Sequence, residues 1–476
     1  MRKTILPFWG LVLSCISGWT QPIFEDKTET LPLDYVSART MDIASGDLDG
    51  DGDKDIVLAM EVSTNWILWN DGQGQFSVDT SRAFSPLKTY PQGFTGEDSE
   101  DIALFDLDKD DDLDLLFVTE DTDLHELYLN DGTGNFSLAP FQFPHPQKSN
   151  SVLVYDFNQD TWPDVMIGQD GANALYINQQ DGTFGPAPVG IWPPNTSWSQ
   201  DLKLVDVNGD NKLDIIEGAD QGPSNLYLNQ DDTFSLANDR LPPSLNNVET
   251  RKILPVDVDL DGDMDLFWCN VGWTQGRPPQ DLLLINDGTG HFTDETNTRF
   301  PFLHIITLDG AFMDLNGDQY PDLILALGSE PTNHVVYLND PANPGHFQPD
   351  PSYLPFMVLA TTIAIDTADY NGDKLTDLYF GVLQSPDRLL LQTGPPTSID
   401  ADRSSHGFML FPNPVTETLT VRYPQRDMAD MYALSGQLIR KDIPVYDGAK
   451  IDVDQLIPGT YVLKLDAGPT LRFQKI

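Results

Sequence analysis

Hydrophobic residues in this chain come in short runs. Ile56-Val57-Leu58 and Leu266-Phe267-Trp268 are typical, and each is bounded by Asp, Asn or Gly. Runs this short, with turn-forming borders, predict strands rather than helices. In the first period four strands are predicted: Thr40 to Gly46, Ile56 to Met60, Trp66 to Trp69 and Phe76 to Asp79. The third and fourth are joined by Asn70-Asp71-Gly72-Gln73-Gly74. This hairpin recurs as Asn130-Asp131-Gly132-Thr133-Gly134 and Asn286-Asp287-Gly288-Thr289-Gly290, with residues that accept the positive φ such turns need. The pattern returns at intervals of 59, 50, 50, 51, 57 and 55 residues, the range of four-stranded propeller blades. The seventh period breaks off at Gly394, after Leu389-Leu390-Leu391. Phe24-Glu25-Asp26-Lys27-Thr28 matches the fourth-strand pattern of Phe76 to Thr80 and Phe292 to Thr296. The N-terminus is therefore expected to complete the last blade and close a ring of seven with no open seam.

Between the first and second strands of every period lies a nine-residue acidic stretch with Asp or Asn at positions one, three and five and Asp at nine. The side chains are Asp47, Asp49, Asp51 and Asp55; Asp106, Asp108, Asp110 and Asp114; Asp156, Asn158, Asp160 and Asp164; Asp206, Asn208, Asp210 and Asp214. They continue as Asp257, Asp259, Asp261 and Asp265; Asp314, Asn316, Asp318 and Asp322; and Asp369, Asn371, Asp373 and Asp377. Alternate side chains of a tight loop converge, and an all-oxygen cage suits calcium, of which up to seven ions are expected. Zinc would call for His or Cys, which the loops lack, and magnesium rarely accepts an all-protein cage. The loop opens like an EF-hand, but its last acid comes at nine rather than twelve, and strands flank it.

Charge sharpens this picture. The chain has 476 residues, 40% of them hydrophobic, which is enough for real cores. Its 27 basic and 74 acidic side chains leave −47, and 24 of the carboxylates stand at positions one, three, five and nine of the acid loops. Seven calcium ions would still leave about −33, which excludes a surface that grips nucleic acid. Met1-Arg2-Lys3 followed by the apolar run Ile5 to Leu13 reads as a signal peptide over residues 1–20, with cleavage near Thr20-Gln21. Val12-Leu13-Ser14-Cys15 keeps a lipid-anchor site open as an alternative. No segment is long and apolar enough to form a transmembrane span. Removal of Cys15 would leave Cys269 alone, so calcium rather than a disulfide is expected to staple the fold.

The repeated Asp-x-Asp-x-Asp-Gly-x-x-Asp pattern resembles the FG-GAP or VCBS repeats of integrin-α-like β-propellers over residues 21–395. The resemblance implies a further ligand, the backbone carbonyl of position seven: Asp53, Asp112, Trp162, Lys212, Asp263, Tyr320 and Leu375. Position six departs from the pattern. Gly52 and Gly262 suit a left-handed turn and Asp111 and Asn211 tolerate it, whereas Thr161, Gln319 and Lys374 fit badly and mark weaker sites. After a Pro- and Ser-rich linker over 396–407, residues 408–476 carry short alternating strands that predict a small Ig-like β-sandwich. Phe411-Pro412-Asn413-Pro414, Leu434-Ser435-Gly436-Gln437, Pro458-Gly459-Thr460-Tyr461-Val462 and the final Phe473-Gln474-Lys475-Ile476 resemble a type IX secretion sorting domain. That implies a Bacteroidota source, the type IX machinery as partner, and export through the periplasm to the outer surface or the medium.

No catalytic residue is assigned. The seven histidines are dispersed, and no Gly-x-Ser-x-Gly or His-Glu-x-x-His occurs. Long aromatic connections fall on the face opposite the acid loops: Thr89 to Glu100 with Tyr90 and Phe94, Val189 to Gln200 with Trp192 and Trp198, and Val271 to Gln280 with Trp273 and Arg277. Asp42, Asp101, Asp201 and Asp309, each five residues before an acid loop, are expected to form an acidic rim that caps loop amides. The reading that results is a non-enzymatic, calcium-binding protein for ligand binding or adhesion, its ligand a protein or a glycan. The alternative is an extracellular polysaccharide-degrading lyase or hydrolase.

Overall fold

The computed structural model describes residues 23–394 apart from 33–38, 80–96, 121–124, 140–142, 145–146, 302–304, 329–334, 351–352, 355–360 and positions 195, 232, 275 and 384. In the C-terminal region it describes 409–475 apart from 412–417, 423–426, 434–437, 447–448, 458 and 466–469. The expected signal peptide, the linker, Tyr90 and Phe94 lie outside the described residues. The chain divides into two compact units, residues 1–395 and 396–476.

The first unit is a β-propeller. Its innermost strands are Thr40–Gly46, Glu97–Phe105, Ser149–Tyr155, Trp198–Val205, Glu249–Val256, Thr307–Met313 and Thr362–Ala368. Each leads through an acid loop into a second strand that pairs with it antiparallel, Thr40 facing Met60 and Gly46 facing Asp55 in the first sheet. Third and fourth strands follow outward in the same order. Each innermost strand packs against the next, and the last, Thr362–Ala368, packs against the first. Phe24–Asp26 supplies the outer strand of the sheet begun by Thr362–Ala368, with Phe24 opposite Gln392 and Asp26 opposite Leu390.

Second strands such as Asp114–Thr119 and Asp265–Val271 are buried on both faces, because sheets stack face to face. That is why they read as continuous apolar runs rather than alternating ones. Each pair of neighbouring sheets shares a core. The one between last and first joins Ile43, Ile56, Leu58 and Leu68 to Tyr370, Tyr379, Leu389 and Leu391. The second residue of every acid loop, Leu48, Leu107, Phe157, Val207, Val258, Leu315 or Tyr370, is buried and anchors its loop in such a core. Cys269 lies buried in one of them, its thiol pushed well above the usual value by burial.

One feature departs from separate blades. Asp55–Ser63 extends beyond its own sheet to pair with Glu97–Phe105, Glu61 opposite Asp98, and so joins the first two sheets along one edge.

The second unit consists of a three-stranded sheet containing Thr418–Arg422 and a four-stranded sheet built on Asp427–Ala433 and Gly459–Leu465. They enclose Leu419, Val421, Met431, Ile451 and Leu463, the arrangement of a small sandwich.

Candidate metal loops and the opposite rim

Each acid loop is held by its own carboxylates accepting backbone N–H groups. The position-six amide donates to the Asp at one, from Gly52 to Asp47 (3.1 Å) through Lys374 to Asp369 (2.8 Å). The position-seven amide donates to the Asp at five, for example Trp162 to Asp160 (2.9 Å) and Leu375 to Asp373 (2.8 Å). These bonds wind the loop tightly and turn the remaining oxygens toward one another. Carboxylate oxygens of Asp47, Asp49 and Asp51 lie within 4.8 Å of each other, as do those of Asp106, Asp108 and Asp114 and those of Asp257, Asp259 and Asp265.

Position nine has a second duty that the spacing alone did not reveal. Asp55 accepts from Leu48 N (3.1 Å) with one oxygen and from Asn70 N (2.9 Å) with the other. The same pair of bonds holds Asp114, Asp164, Asp214, Asp265, Asp322 and Asp377. The residue thus ties the start of the loop to the end of the third strand. Burial raises its pKa in every copy, to about 7 for Asp55 and about 8 for Asp322, against the lowering effect of the two amides.

The Asn that opens the third-to-fourth hairpin is a staple as well as a turn residue. Asn130 Nδ2 donates to Leu113 O within its own loop and to Leu48 O of the preceding sheet's loop (2.8 Å). Asn286 and Asn339 reach Val207 O and Val258 O in the same way, and Asn70 reaches Tyr370 O (2.8 Å) across the junction of first and last sheets.

Whether the loops fit a cation can be judged from their own oxygens. Asp53 Oδ1, Asp112 Oδ1 and Asp259 Oδ1 are buried without a hydrogen-bond partner. Burial and neighbouring carboxylates push Asp53 up to about 6 and Asp112 up to about 7. Desolvated like charges with unused lone pairs fit a hard divalent ion. Three of the four copies with Asn at position three relieve themselves instead. Asn158, Asn316 and Asn371 donate to the carboxylates of Asp160, Asp318 and Asp373 at 3.1, 2.9 and 3.1 Å. In the loop beginning at Asp257, Arg299 takes one oxygen of Asp259 (2.8 Å), so an all-Asp composition overstates the free charge there. Position six is left-handed in every copy, Thr161 (φ 75°), Gln319 (φ 74°) and Lys374 (φ 70°) included. Position four is left-handed too, and there Lys109, Gln159 and Leu260 stand where the other copies have Gly.

At the opposite ends of the sheets a second set of bonds joins neighbours. Asp42, Asp101, Asp201 and Asp309 accept the amides of Ile102, Val152, Ile253 and Ile365 on the next innermost strand, at 3.2, 2.8, 2.7 and 2.9 Å. Lys252 holds the equivalent position in the fifth sheet, and its ammonium reaches Asp42 at 3.4 Å. Thr40 and Thr307 donate to the buried carboxylates of Asp387 and Asp281 (both 2.8 Å), while Asn65 bonds Ser99 and Asn173 bonds Ser199. A hydroxyl stands seven residues before each acid loop, and in these four copies it makes the latch, whereas Thr250 Oγ1 is buried without a partner.

Of the expected aromatics, Trp192 packs tilted against Tyr227, ring centroids 4.1 Å apart, and serves the loop core, whereas Trp198 and Trp273 are 39% and 54% exposed. The Arg251 guanidinium lies 4.5 Å over the Trp273 ring and donates to Gln200 Oε1. Arg277 donates to the carbonyl of Asp220, and Thr274 N donates to Glu249 (2.8 Å). An acidic group outside the loops, Asp98, Glu100 and Glu120, also gathers on this rim, with Glu100 raised to about 8 by burial and its acidic neighbours.

A profile of the FG-GAP-like repeat matches residues 47–117, 106–167, 156–217, 206–268, 257–325 and 314–380. A profile of the secretion system C-terminal sorting domain matches 409–476. Similar solved structures include an Agrocybe aegerita lectin described as recognising non-reducing terminal N-acetylglucosamine, at 18% identity and TM-score 0.41, covering 74% of this chain and 87% of that one. BBS1N, solved in complex with ARL6DN, is 13% identical with TM-score 0.47, covering 78% and 97%. The extracellular domain of a putative hybrid two-component system from B. thetaiotaomicron is 12% identical with TM-score 0.44, covering 92% and 52%. Among curated proteins no relative matches the chain.

Proposed function

The chain belongs to the family of FG-GAP-like repeat proteins and ends in a type IX sorting domain, and from that premise we propose that it is an exported, calcium-stiffened, seven-bladed propeller that binds a ligand without transforming it. The sorting domain indicates delivery to the outer surface or the medium, and the remaining steps of the reading are export through the periplasm and adhesion or capture outside the cell. One observation carries the calcium assignment: every acid loop uses backbone amides to hold its carboxylates together, and in three copies carboxylate oxygens from the ligand positions lie within 4.8 Å of one another. Asp47, Asp49, Asp51 and Asp55 and their counterparts would hold the ion, with the position-seven carbonyls completing the shell. The ion would neutralise crowded charge and cross-link each loop. The ligand surface is the opposite rim, where Trp198 and Trp273 are exposed.

Equilibrium dialysis of chelator-stripped protein against calcium tests the assignment. Several equivalents per chain are expected, the all-Asp loops filling before the Asn-containing ones, and less than one equivalent overturns it. The enzymatic alternative draws on Glu100, a carboxyl held protonated near neutral pH beside Asp98 and Glu120, as a general acid would be. Incubation with polysaccharides separates the two. Recovery of unshortened chains supports binding alone, and new reducing ends or unsaturated uronates support the enzyme.

A further inference from the structure

The rim of the fourth and fifth sheets has the composition of a site for a particular ligand chemistry. We propose that it binds a neutral polysaccharide, with Trp198 and Trp273 as stacking platforms over a polar floor. This rests on the reading that the face opposite the acid loops takes a ligand.

Trp198 begins the innermost strand of the fourth sheet opposite Gln221, the last residue of that sheet's second strand. Gln200, two residues on, receives the Arg251 guanidinium, which lies over one face of Trp273. Trp198 therefore lies two residues along the strand from the side chain that holds the guanidinium against the other half-exposed indole. Both guanidiniums on this rim are occupied, Arg251 by Gln200 and the Trp273 ring, Arg277 by the Asp220 carbonyl. Each is fixed in place.

The chemistry of the floor selects the ligand. Planar carboxyl, carboxamide and guanidinium groups offer paired donors and acceptors at the spacing of vicinal hydroxyls, and an indole face covers the C–H face of a pyranose. A protein partner would want a contiguous apolar patch ringed by polar groups. Here two isolated indoles stand over a polar surface instead. Charge removes the acidic sugars. Asp220 is raised by burial and by Glu249 beside it, against the lowering effect of Arg251, and with Arg251 held by Gln200 and Arg277 by the Asp220 carbonyl neither guanidinium stands free to pair with a uronate. The chain carries −47 in all, and a uronate would add to it.

The test uses the full chain in calcium and affinity electrophoresis in gels containing β-glucan, mannan, xylan, galactan or polygalacturonate. Retardation by at least one of the four neutral polymers is expected, with none by polygalacturonate. Trp198→Ala and Trp273→Ala should each weaken it by tenfold or more, while the melting midpoint in calcium stays put because both rings are half exposed. Trp192→Ala, which removes a loop-core ring, should lower the midpoint instead. Retardation that survives both rim substitutions, retardation by polygalacturonate alone, or none in any gel would overturn the proposal. A second arm keeps the broader reading separate, with cell-surface protein from the producing bacterium passed over the immobilised chain and its W198A and W273A forms. Tryptophan-dependent retention of a protein, with no glycan retarded, overturns the glycan assignment and leaves the face as a ligand site. No tryptophan-dependent binding in either arm overturns both.

Discussion

Leu260 occupies position four of its loop with φ 58° and is 49% exposed, an apolar residue in a backbone region that favours glycine. Leu260→Gly should raise stability by about 1 kcal/mol, the order of the left-handed penalty for an L-residue. Urea unfolding in saturating calcium checks this, and an unchanged or lower midpoint would mean the loop is unstrained. The signal was present in the sequence, since four of the seven copies carry Gly at position four, but the ligand spacing drew attention to position six. Asp281 and Asp387 act differently. Burial raises each carboxyl to about 7, so between roughly pH 4 and pH 7 the folded protein keeps protons that the unfolded chain has lost. Stability from these groups is therefore fully present below pH 4 and declines as pH rises through 7, by up to about 1.4 kcal/mol per pH unit for each. Compared with wild type in chelator from pH 4.5 to 8, Asp281→Asn with Asp387→Asn should show a flatter fall. Parallel curves would contradict the assignment.

At the scale of elements, strands were legible because short apolar runs bounded by Asp, Asn or Gly, and Asn-Asp-Gly turns, are local properties. The staples between sheets were not, because a recurring Asn or Thr in one repeat says nothing of the carbonyl or carboxylate it meets in another. Nor was the edge pairing of Glu61 with Asp98, which sets like charges opposite each other and follows from backbone geometry alone. The closing strand is the element with most at stake. Deleting residues 22–28 removes Phe24 from the core it shares with Leu378 and Leu390 and bares the edge of Arg388–Gln392. A lower urea midpoint and concentration-dependent association in light scattering are expected. A monodisperse variant with wild-type unfolding would show that the strand is dispensable.

Across the whole molecule the charge is one-sided. Residues 408–476 hold eight acidic and eight basic side chains, so the entire −47 lies on the first 407. Stripping calcium should lower the melting midpoint of that part sharply, and about 1 M salt should recover part of the loss by shortening the screening length to about 3 Å. The same drop should appear after removal of residues 408–476, whose core is separate. An unchanged midpoint in fully stripped protein would rule out a structural ion.

The pairing of Phe24 with Gln392 also governs when the molecule can become itself. Those partners stand 368 residues apart, and bringing such distant points together costs about 5 kcal/mol of chain entropy by simple loop statistics. A chain emerging end first would hold its earliest strand idle until the final repeat had been made. The ring would therefore be the last thing to form and, under mechanical pull from either end, the first to open. For a chain that carries a secretion sorting domain, that clasp is also a clock.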